Sequence, residues 1–204
     1  MTDYMLSSRA AFTGLTSSSG VNRGVVVFDR DALAIATLLT RKNQAPALAQ
    51  RVRARFGLEL PNGPRRVARD DIALLQTAPE AWLVTREEGG DGFAAFVSDA
   101  LGDVAAVADQ SSAYAILRVT GPAVRATLAK ILPIDLHEHV LGINKVASTM
   151  ASHVAATLWR LEDAADGSSV FEIAVFRSFA ASFWHSLDSS AAEFGLVVHA
   201  TVRR

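Results

Sequence analysis

The order of its strand-like and helix-like segments constrains this chain most, because the same order occurs twice. Alternating apolar residues and runs of branched residues are typical of strands, whereas apolar residues every three or four positions are typical of amphipathic helices. By these rules residues 33–108 have the order β-α-β-β-α-β, and residues 113–202 repeat it. The sequence therefore predicts an α+β protein built from two tandem ferredoxin-like β-α-β-β-α-β units.

In the first repeat, Pro46 suits a helix start and Gly57 a helix end. Asp91 can cap a second helix that ends at Gly102. A short strand candidate at 25–28 precedes the repeat. Its own predicted strands are 33–40, 72–77, 81–85 and 104–108.

In the second repeat, Thr120 is predicted to cap a helix that stops before Pro133, and Ser178 to cap the longest helix. Residues 134–148 form a longer excursion with no assigned element. The predicted strands are 113–119, 153–161, 170–176 and 196–202.

The repeats define a domain organisation. Residues 1–22 are polar and turn-rich and are expected to form an extended arm that docks on the body or on a partner. Residues 23–109 make the first half and 110–204 the second. Each sheet would have two helices on one face and nothing on the other, so we expect the two sheets to cooperate in one compact unit.

Composition excludes several kinds of chemistry and partner. The chain has no cysteine, which rules out disulfides, thiolate metal sites and iron–sulfur clusters. Its formal net charge of -1 argues against a nucleic-acid-binding protein. Residues 1–20 are polar, unlike a signal peptide, and no apolar stretch is long enough for a bilayer. We expect a cytoplasmic protein that binds neither nucleic acid nor membrane.

No local pattern indicates a catalytic, cofactor-binding or metal-binding residue. Asp135, His137 and His139 would share one face of an extended segment and could hold zinc, but the sequence nearby offers no further ligand cluster, which favours a solvated loop. The glycine-rich stretch 89–92 lacks the lysine of a phosphate-binding loop and the glycine spacing of a dinucleotide fold.

An aromatic-rich segment at 176–185 is the candidate for a subunit interface. Trp184 and His185 fall off the apolar stripe of the predicted helix, and a tryptophan beside His and Arg is typical of an interface anchor. A wider apolar face against the sheet would make the same residues pure core, and the sequence leaves both readings open. The mean hydropathy of +0.23 is equally compatible with alanine content or with apolar surface that a partner covers. The candidate interface residues are Trp159, Arg177, Trp184 and His185.

An ordered set of short motifs resembles the gamma subunit of heterotetrameric sarcosine oxidase. Each motif alone is weak, but the set is fairly specific and runs over most of the chain outside the N-terminal arm. The motifs are RKN at 41–43, FGLELP at 56–61, DQS at 109–111, LRVTGP at 117–122, LPIDL at 132–136, LWR at 158–160 and FEIAVFRSF at 171–179.

The resemblance implies a fold, a multi-subunit complex and a role for this chain within it. The family looks like a trimmed relative of the folate-binding aminomethyltransferases, the glycine cleavage T-proteins. It implies a complex of alpha, beta, gamma and delta chains that demethylates sarcosine to glycine, reduces oxygen to hydrogen peroxide, and passes the one-carbon unit to tetrahydrofolate or releases formaldehyde. In the family FAD, FMN, NAD and zinc are carried by other chains. This chain is then expected to be an accessory, non-catalytic subunit that binds no cofactor itself.

One motif also bears on the relatives' folate site. Phe171-Glu172-Ile173 echoes a motif near that site, yet an inward Phe171 and Ile173 with an outward Glu172 is the pattern of any half-buried strand. Two other functions therefore stay open. One is a stand-alone folate-dependent aminomethyltransferase or folate-binding protein. The other is an unrelated regulatory domain built on ferredoxin-like repeats.

Overall fold

Two sheets, each covered on one face by two helices, make up the fold. The computed structural model of the chain describes residues 10–12 and 23–199. The strands are β1 (Val25–Asp29), β2 (Ala34–Thr40), β3 (Arg66–Arg69), β4 (Ile72–Ala78), β5 (Ala81–Arg86), β6 (Ala105–Asp109), β7 (Tyr114–Thr120), β8 (Val146–Ala151), β9 (Val154–Leu161), β10 (Val170–Phe176) and β11 (Leu196–His199). The helices are α1 (Ala45–Phe56), α2 (Phe93–Leu101), α3 (Val124–Ala129) and α4 (Ala180–Ala191), with a 3-10 turn at Arg177–Phe179 before α4.

The first repeat forms a five-stranded sheet in the order β3-β4-β5-β2-β6, with every neighbouring pair antiparallel. Helices α1 and α2 cover one face. Leu48 and Val52 of α1 and Val97 and Leu101 of α2 are completely buried there, as their helical spacing predicts. Without β3, which adds an edge strand, this is the order of a ferredoxin-like unit.

The second repeat forms a six-stranded sheet in the order β11-β1-β7-β10-β9-β8. Strand β1 lies parallel to β11 and antiparallel to β7. By sequence β1 falls within the predicted first half, residues 23–109, but it completes the sheet of the second, because Val25 and Val27 are buried under α3 and α4. The division at residue 109 stays a prediction, and the structure adds this one exchanged strand.

The predicted arm at 1–22 and the end of the last predicted strand, at 200–202, lie mostly outside the described residues. Within the arm the structure describes 10–12, where Phe12 is buried against Trp184 of α4 with ring centroids 6.4 Å apart. This short piece therefore packs on the body of the second half.

Two strands lie where the sequence indicated none. Strand β3 is short and carries two arginines, and β8 has two adjacent polar residues, Ser148 and Thr149, at its centre, so neither shows the alternating or continuous apolar pattern of a strand. Both are edge strands of their sheets. Their backbones meet across an isolated bridge between Arg65 and Lys145, which joins the two sheets.

The N-cap residues of α2, α3 and α4 are Gly92, Ala123 and Phe179 rather than the predicted Asp91, Thr120 and Ser178, and none of these three N-cap residues makes a side-chain cap hydrogen bond. Thr120 is the last residue of β7, and α3 begins only at Val124 after Ala123. Gly121 lies between them with φ 114°, and a Cβ there would be 2.5 Å from the Gly24 carbonyl oxygen. The chain must make this tight turn before the helix begins, so Thr120 is too early to cap it.

The uncovered faces of the two sheets pack against each other. This inter-sheet layer contains Leu33, Ile35, Ala73, Leu75 and Leu83 from the first repeat and Ile116, Val146, Trp159 and Ala174 from the second. The two sheets cooperate as expected, because each sheet covers the face of the other sheet that carries no helices. No helix among the described residues is long and apolar enough to cross a bilayer.

Candidate functional site

The inter-sheet layer changes from apolar to charged along β7 and β10. Ile116 of β7 pairs with Ala174 of β10 in the apolar part, and two residues further on Arg118 pairs with Glu172. Because side chains alternate along a strand, all four point to the same face. The backbone register thus brings an arginine and a glutamate directly opposite each other between the two sheets.

Glu172 is the centre of this charged part, and only 4% of its surface is exposed. Its Oε1 accepts hydrogen bonds from Arg118 Nη2 at 2.7 Å and from Arg30 Nε at 2.9 Å. Its Oε2 accepts one from Trp159 Nε1 at 2.9 Å. Both oxygens of a buried carboxylate are therefore paired, as burial of a charge requires.

Arg30, in the loop after β1, links this cluster to the first repeat. Its guanidinium also donates to Glu87, which follows β5, and Arg118 Nη2 lies 3.9 Å from Glu87 Oε1. Burial alone would lower the pKa of Arg30, but Glu172 and Glu87 outweigh that effect and raise its pKa above the ordinary value. We name Arg30, Glu87, Arg118, Trp159 and Glu172 the charged cluster.

The expectation that Glu172 points to solvent is wrong. Phe171 and Ile173 are buried under the helices as predicted, but the opposite face of β10 is buried too, because the first repeat covers it. Alternation identified the two faces of the strand correctly. It could not reveal that both faces are covered.

A cleft of about 570 Å³ opens beside the charged cluster, between the facing sides of the two sheets. Arg118 belongs to both, so the cleft and the cluster are continuous. Its walls also include Arg66 and Ala68 of β3, Thr120 of β7, and residues of the neighbouring strands and loops: Phe28, Asn144, Leu161, Glu162, Ala164 and Val170. This volume is in the range of small-molecule sites.

The four candidate interface residues do not form one surface. Trp159 and Trp184 are buried within this chain, the first beside Glu172 and the second in the core under α4. Arg177 is half-buried, with Nη1 3.9 Å from Asp31 Oδ1, and His185 is exposed on α4. Contact with a partner through Arg177 and His185 stays a prediction.

The segment of Asp135, His137 and His139 is turned rather than extended. The backbone N–H of His137 donates to Asp135 Oδ1 at 2.8 Å, and that of His139 donates to His137 Nδ1 at 3.3 Å. Within residues 10–12 and 23–199, no group of three or more histidine and carboxylate side chains is arranged to hold a metal.

Sequence reasoning missed the charged cluster. Its members lie far apart in the chain, since Arg30 and Glu172 are 142 positions apart. The one usable signal was the pairing of two predicted strands with Arg118 and Glu172 at matching positions, which requires the correct strand neighbours and register. No local motif carries that information.

Two solved structures share this fold. The heterotetrameric sarcosine oxidase from Corynebacterium sp. U-96, in complex with pyrrole 2-carboxylate, contains a chain that superimposes with a TM-score of 0.76 at 23% identity, covering 96% of this chain and 99% of that one. The glycine cleavage system aminomethyltransferase T from Bartonella henselae superimposes with a TM-score of 0.61 at 16% identity, covering 88% of this chain and 48% of that one. The chain is therefore an α+β protein with the aminomethyltransferase fold, which confirms the predicted class.

Sequence comparison narrows this class to one family. The model of the sarcosine oxidase, gamma subunit family matches residues 41–193. A sarcosine oxidase subunit gamma of Arthrobacter sp is 30% identical over 109 residues, which are 52% of this chain and 54% of that relative. The match thus spans about half the length of that curated relative. The chain belongs to the sarcosine oxidase gamma subunit family, and the resemblance noted in its motifs is confirmed.

Proposed function

We propose that this chain is the gamma, non-catalytic subunit of a heterotetrameric sarcosine oxidase. The complex would demethylate sarcosine to glycine, reduce oxygen to hydrogen peroxide, and transfer the one-carbon unit to tetrahydrofolate or release formaldehyde. The observation that carries this proposal is the family match over 41–193. The fold supports it through the superposition on a chain of a heterotetrameric sarcosine oxidase.

The proposal also assigns cofactors and partners. FAD, FMN, NAD and zinc would be bound by the alpha, beta and delta chains, and the assembly would be cytoplasmic. The charged cluster supports a structural role for this chain, since both oxygens of its buried carboxylate are already paired with neighbouring side chains.

Co-expression with the neighbouring subunit genes tests the proposal. We expect the full-length chain to co-purify with a large flavin-containing chain, and the complex to consume oxygen on addition of sarcosine. The chain purified alone should be colourless and inactive. Oxidation of sarcosine by the chain alone, or its failure to associate with the flavin-containing chains, would contradict the proposal.

We further propose that Arg177 marks the contact with a larger chain of the complex. Two exposed aromatic residues flank it: Phe176, which is 45% exposed and stacks on Tyr114 at 5.1 Å, and Phe179, which is 48% exposed. Exposed aromatic residues beside an arginine have the composition of interface hot spots. His185 lies further along α4 and is proposed as a second contact.

Substitution at this patch gives a matched test. Phe179→Ser should reduce co-purification of the chain with its partners by about tenfold, since burying one aromatic side chain contributes roughly 1.5–3 kcal/mol. Phe96→Ser is the control, because Phe96 is 44% exposed but lies on α2 of the other repeat. Equal recovery of the two variants would remove the proposed patch, and His185→Ala tests the second contact in the same assay.

The alternative of a stand-alone folate-dependent aminomethyltransferase has only the shared fold in its favour. The chain matches 48% of the length of the Bartonella henselae enzyme. A titration of the purified chain with tetrahydrofolate distinguishes the two functions. Saturable binding of tetrahydrofolate accompanied by aminomethyl transfer would favour the alternative. Association with the partner chains and no binding of tetrahydrofolate would favour the subunit role.

A further inference from the structure

The cleft beside the charged cluster combines apolar walls with one guanidinium that has no carboxylate partner among the residues that the structure describes. Phe28 lines it from β1, and its ring stacks on His199 with centroids 4.9 Å apart. Leu161 and Val170 line it from β9 and β10. These side chains form an apolar surface next to Arg66 and Arg118, which is the composition of a site for a small amphipathic molecule.

Arg66 is half-buried and poorly paired. Its Nη1 donates to Asn144 Oδ1 at 3.3 Å, which is the one hydrogen bond of its side chain within the described residues. In the same part of the chain no carboxylate lies within 4.0 Å of its guanidinium. Burial lowers the pKa of Arg66, and attraction by Glu172 and Glu87 only partly offsets that effect. A desolvated guanidinium with unused donors is a ready partner for an anion.

Thr120 provides a second, independent observation. Its Oγ1 is buried and has no hydrogen-bond partner among the described residues, and Thr120 lines the same cleft. A buried hydroxyl without a partner costs free energy. Because a water-sized molecule cannot reach Oγ1 where it lies, the Thr120 side chain must rotate about χ1 before a ligand in the cleft can accept its hydrogen bond.

The charges around the cleft favour an anion on its inner side. Three guanidinium groups, of Arg30, Arg66 and Arg118, lie around the buried carboxylate of Glu172 and the exposed carboxylate of Glu87. The remaining positive charge is that of Arg66. Glu162 also lines the cleft, but its side chain is exposed and its charge is screened by solvent.

From this arrangement we infer a binding site for a small organic acid that carries one carboxylate on an apolar body. The carboxylate pairs with Arg66 and accepts a hydrogen bond from Thr120, and the apolar body lies against Phe28, Leu161 and Val170. The site is independent of the subunit role proposed above and of the surface around Arg177.

Benzoate is the probe for this site. We follow the amide spectrum of the full-length chain by nuclear magnetic resonance and expect saturable shifts around Phe28 and Thr120, with a dissociation constant of about a millimolar for so small a ligand. Benzamide has the same ring without the charge, and acetate has the charge without the ring. Each should bind at least about tenfold more weakly than benzoate if both halves of the site are used.

Two substitutions test the polar contacts. Arg66→Gln should weaken benzoate binding by about tenfold, and Thr120→Val, which keeps the side-chain shape, by about threefold. Arg69→Gln is the control and should leave binding unchanged, because Arg69 is exposed on the same strand as Arg66 and does not line the cleft. Equal affinities for benzoate and benzamide would overturn the inference. It would also be overturned if the Arg66→Gln variant bound benzoate as tightly as the native chain does.

The assembled complex provides a measurement that does not depend on the behaviour of the free chain. Equilibrium dialysis with labelled benzoate is compared between complexes that contain the native chain and complexes that contain Arg66→Gln. One additional molecule bound by the native complex supports the site. Equal binding by the two complexes would overturn it, since a partner would then cover the cleft. Co-purification is scored separately, so failure of the site and failure of the subunit role are distinguishable.

Discussion

The two ends of the inter-sheet layer differ in chemistry although the same strands, β7 and β10, run through both. At one end Ile116 and Ala174 meet apolar side chains of the facing sheet. At the other end Arg118 and Glu172 meet Arg30 and Glu87. The apolar end is stabilised by burial alone, whereas the charged end depends on the pairing of the buried Glu172, because a buried charge that loses its partner is strongly destabilising.

The charged end itself has a closed part, in which the polar groups are fully paired, and an open part, in which they are not. Glu172 is paired through both oxygens, whereas within the described residues Arg66 donates one side-chain hydrogen bond, to Asn144, and the hydroxyl of Thr120 has no partner. The first arrangement is complete within the chain, while the second is complete only when something else binds. The following four predictions test this contrast.

Removing the carboxylate charge should produce the largest change. Glu172→Gln leaves the half-buried Arg30 and Arg118 beside a buried neutral side chain, and we expect the free energy of unfolding to fall by about 4 kcal/mol. Urea denaturation of the full-length chain measures it. The control is Glu87→Gln, which removes the exposed carboxylate of the same cluster and should cost less than about 1 kcal/mol. Similar losses for both would show that the two carboxylates are equivalent, against the comparison above.

At the apolar end the expected change is smaller and has another cause. Leu75→Ala leaves a cavity between the sheets and should lower the free energy of unfolding by about 3 kcal/mol. Leu39→Ala is the matched control, because Leu39 belongs to the same sheet but is half-exposed. A Leu75→Ala variant as stable as Leu39→Ala would mean that the sheets do not pack tightly at this end.

Neutralising Arg66 should make the chain more stable rather than less. Its pKa is lowered by burial, so the fold disfavours its charge, and Arg66→Met should raise the free energy of unfolding by about 1 kcal/mol. Arg69→Met, at an exposed position of the same strand, should change it by less than about 0.5 kcal/mol. A clear loss of stability in Arg66→Met would contradict this prediction, because it would show that the guanidinium of Arg66 belongs to the fully paired, closed part of the charged end.

The smallest effect is expected at an exposed ion pair. Arg86 Nε donates to Asp71 Oδ2 at 2.7 Å, and this hydrogen bond lowers the pKa of Asp71. When the pKa of a carboxyl is lower in the folded chain than in the unfolded chain, the ionised group stabilises the fold at pH values above its pKa in the unfolded chain. This stabilisation is lost as the pH falls through the pKa in the folded chain. Asp71→Asn should therefore cost about 0.5 kcal/mol or less near neutral pH and nothing in strong acid. A pH-independent difference in unfolding free energy would exclude this origin.

The sequence predicted the repeated elements well and the polar contacts poorly. The stripes of α1 and α2 and the strands β2, β4, β5, β7, β9 and β10 follow from period alone, because burial of one face imposes that period on the residues. Edge strands β3 and β8 escaped notice, since the arginines of β3 and the central Ser148 and Thr149 of β8 interrupt the apolar pattern of a strand. The burial of Glu172 and Trp159 escaped for another reason: the first repeat, which covers that face of the second sheet, is distant in sequence.

The sequence by itself determined the α+β class, the duplication and, through its motifs, the family. These depend on local periodicity and on residue identity, both of which are written along the chain. Only the tertiary structure decided that β1 joins the second sheet, that Glu172 is enclosed by Arg30, Arg118 and Trp159, and that Arg66 and Thr120 border one cleft. Periodicity specifies which face of a strand a side chain occupies, but what covers that face depends on the packing of remote segments.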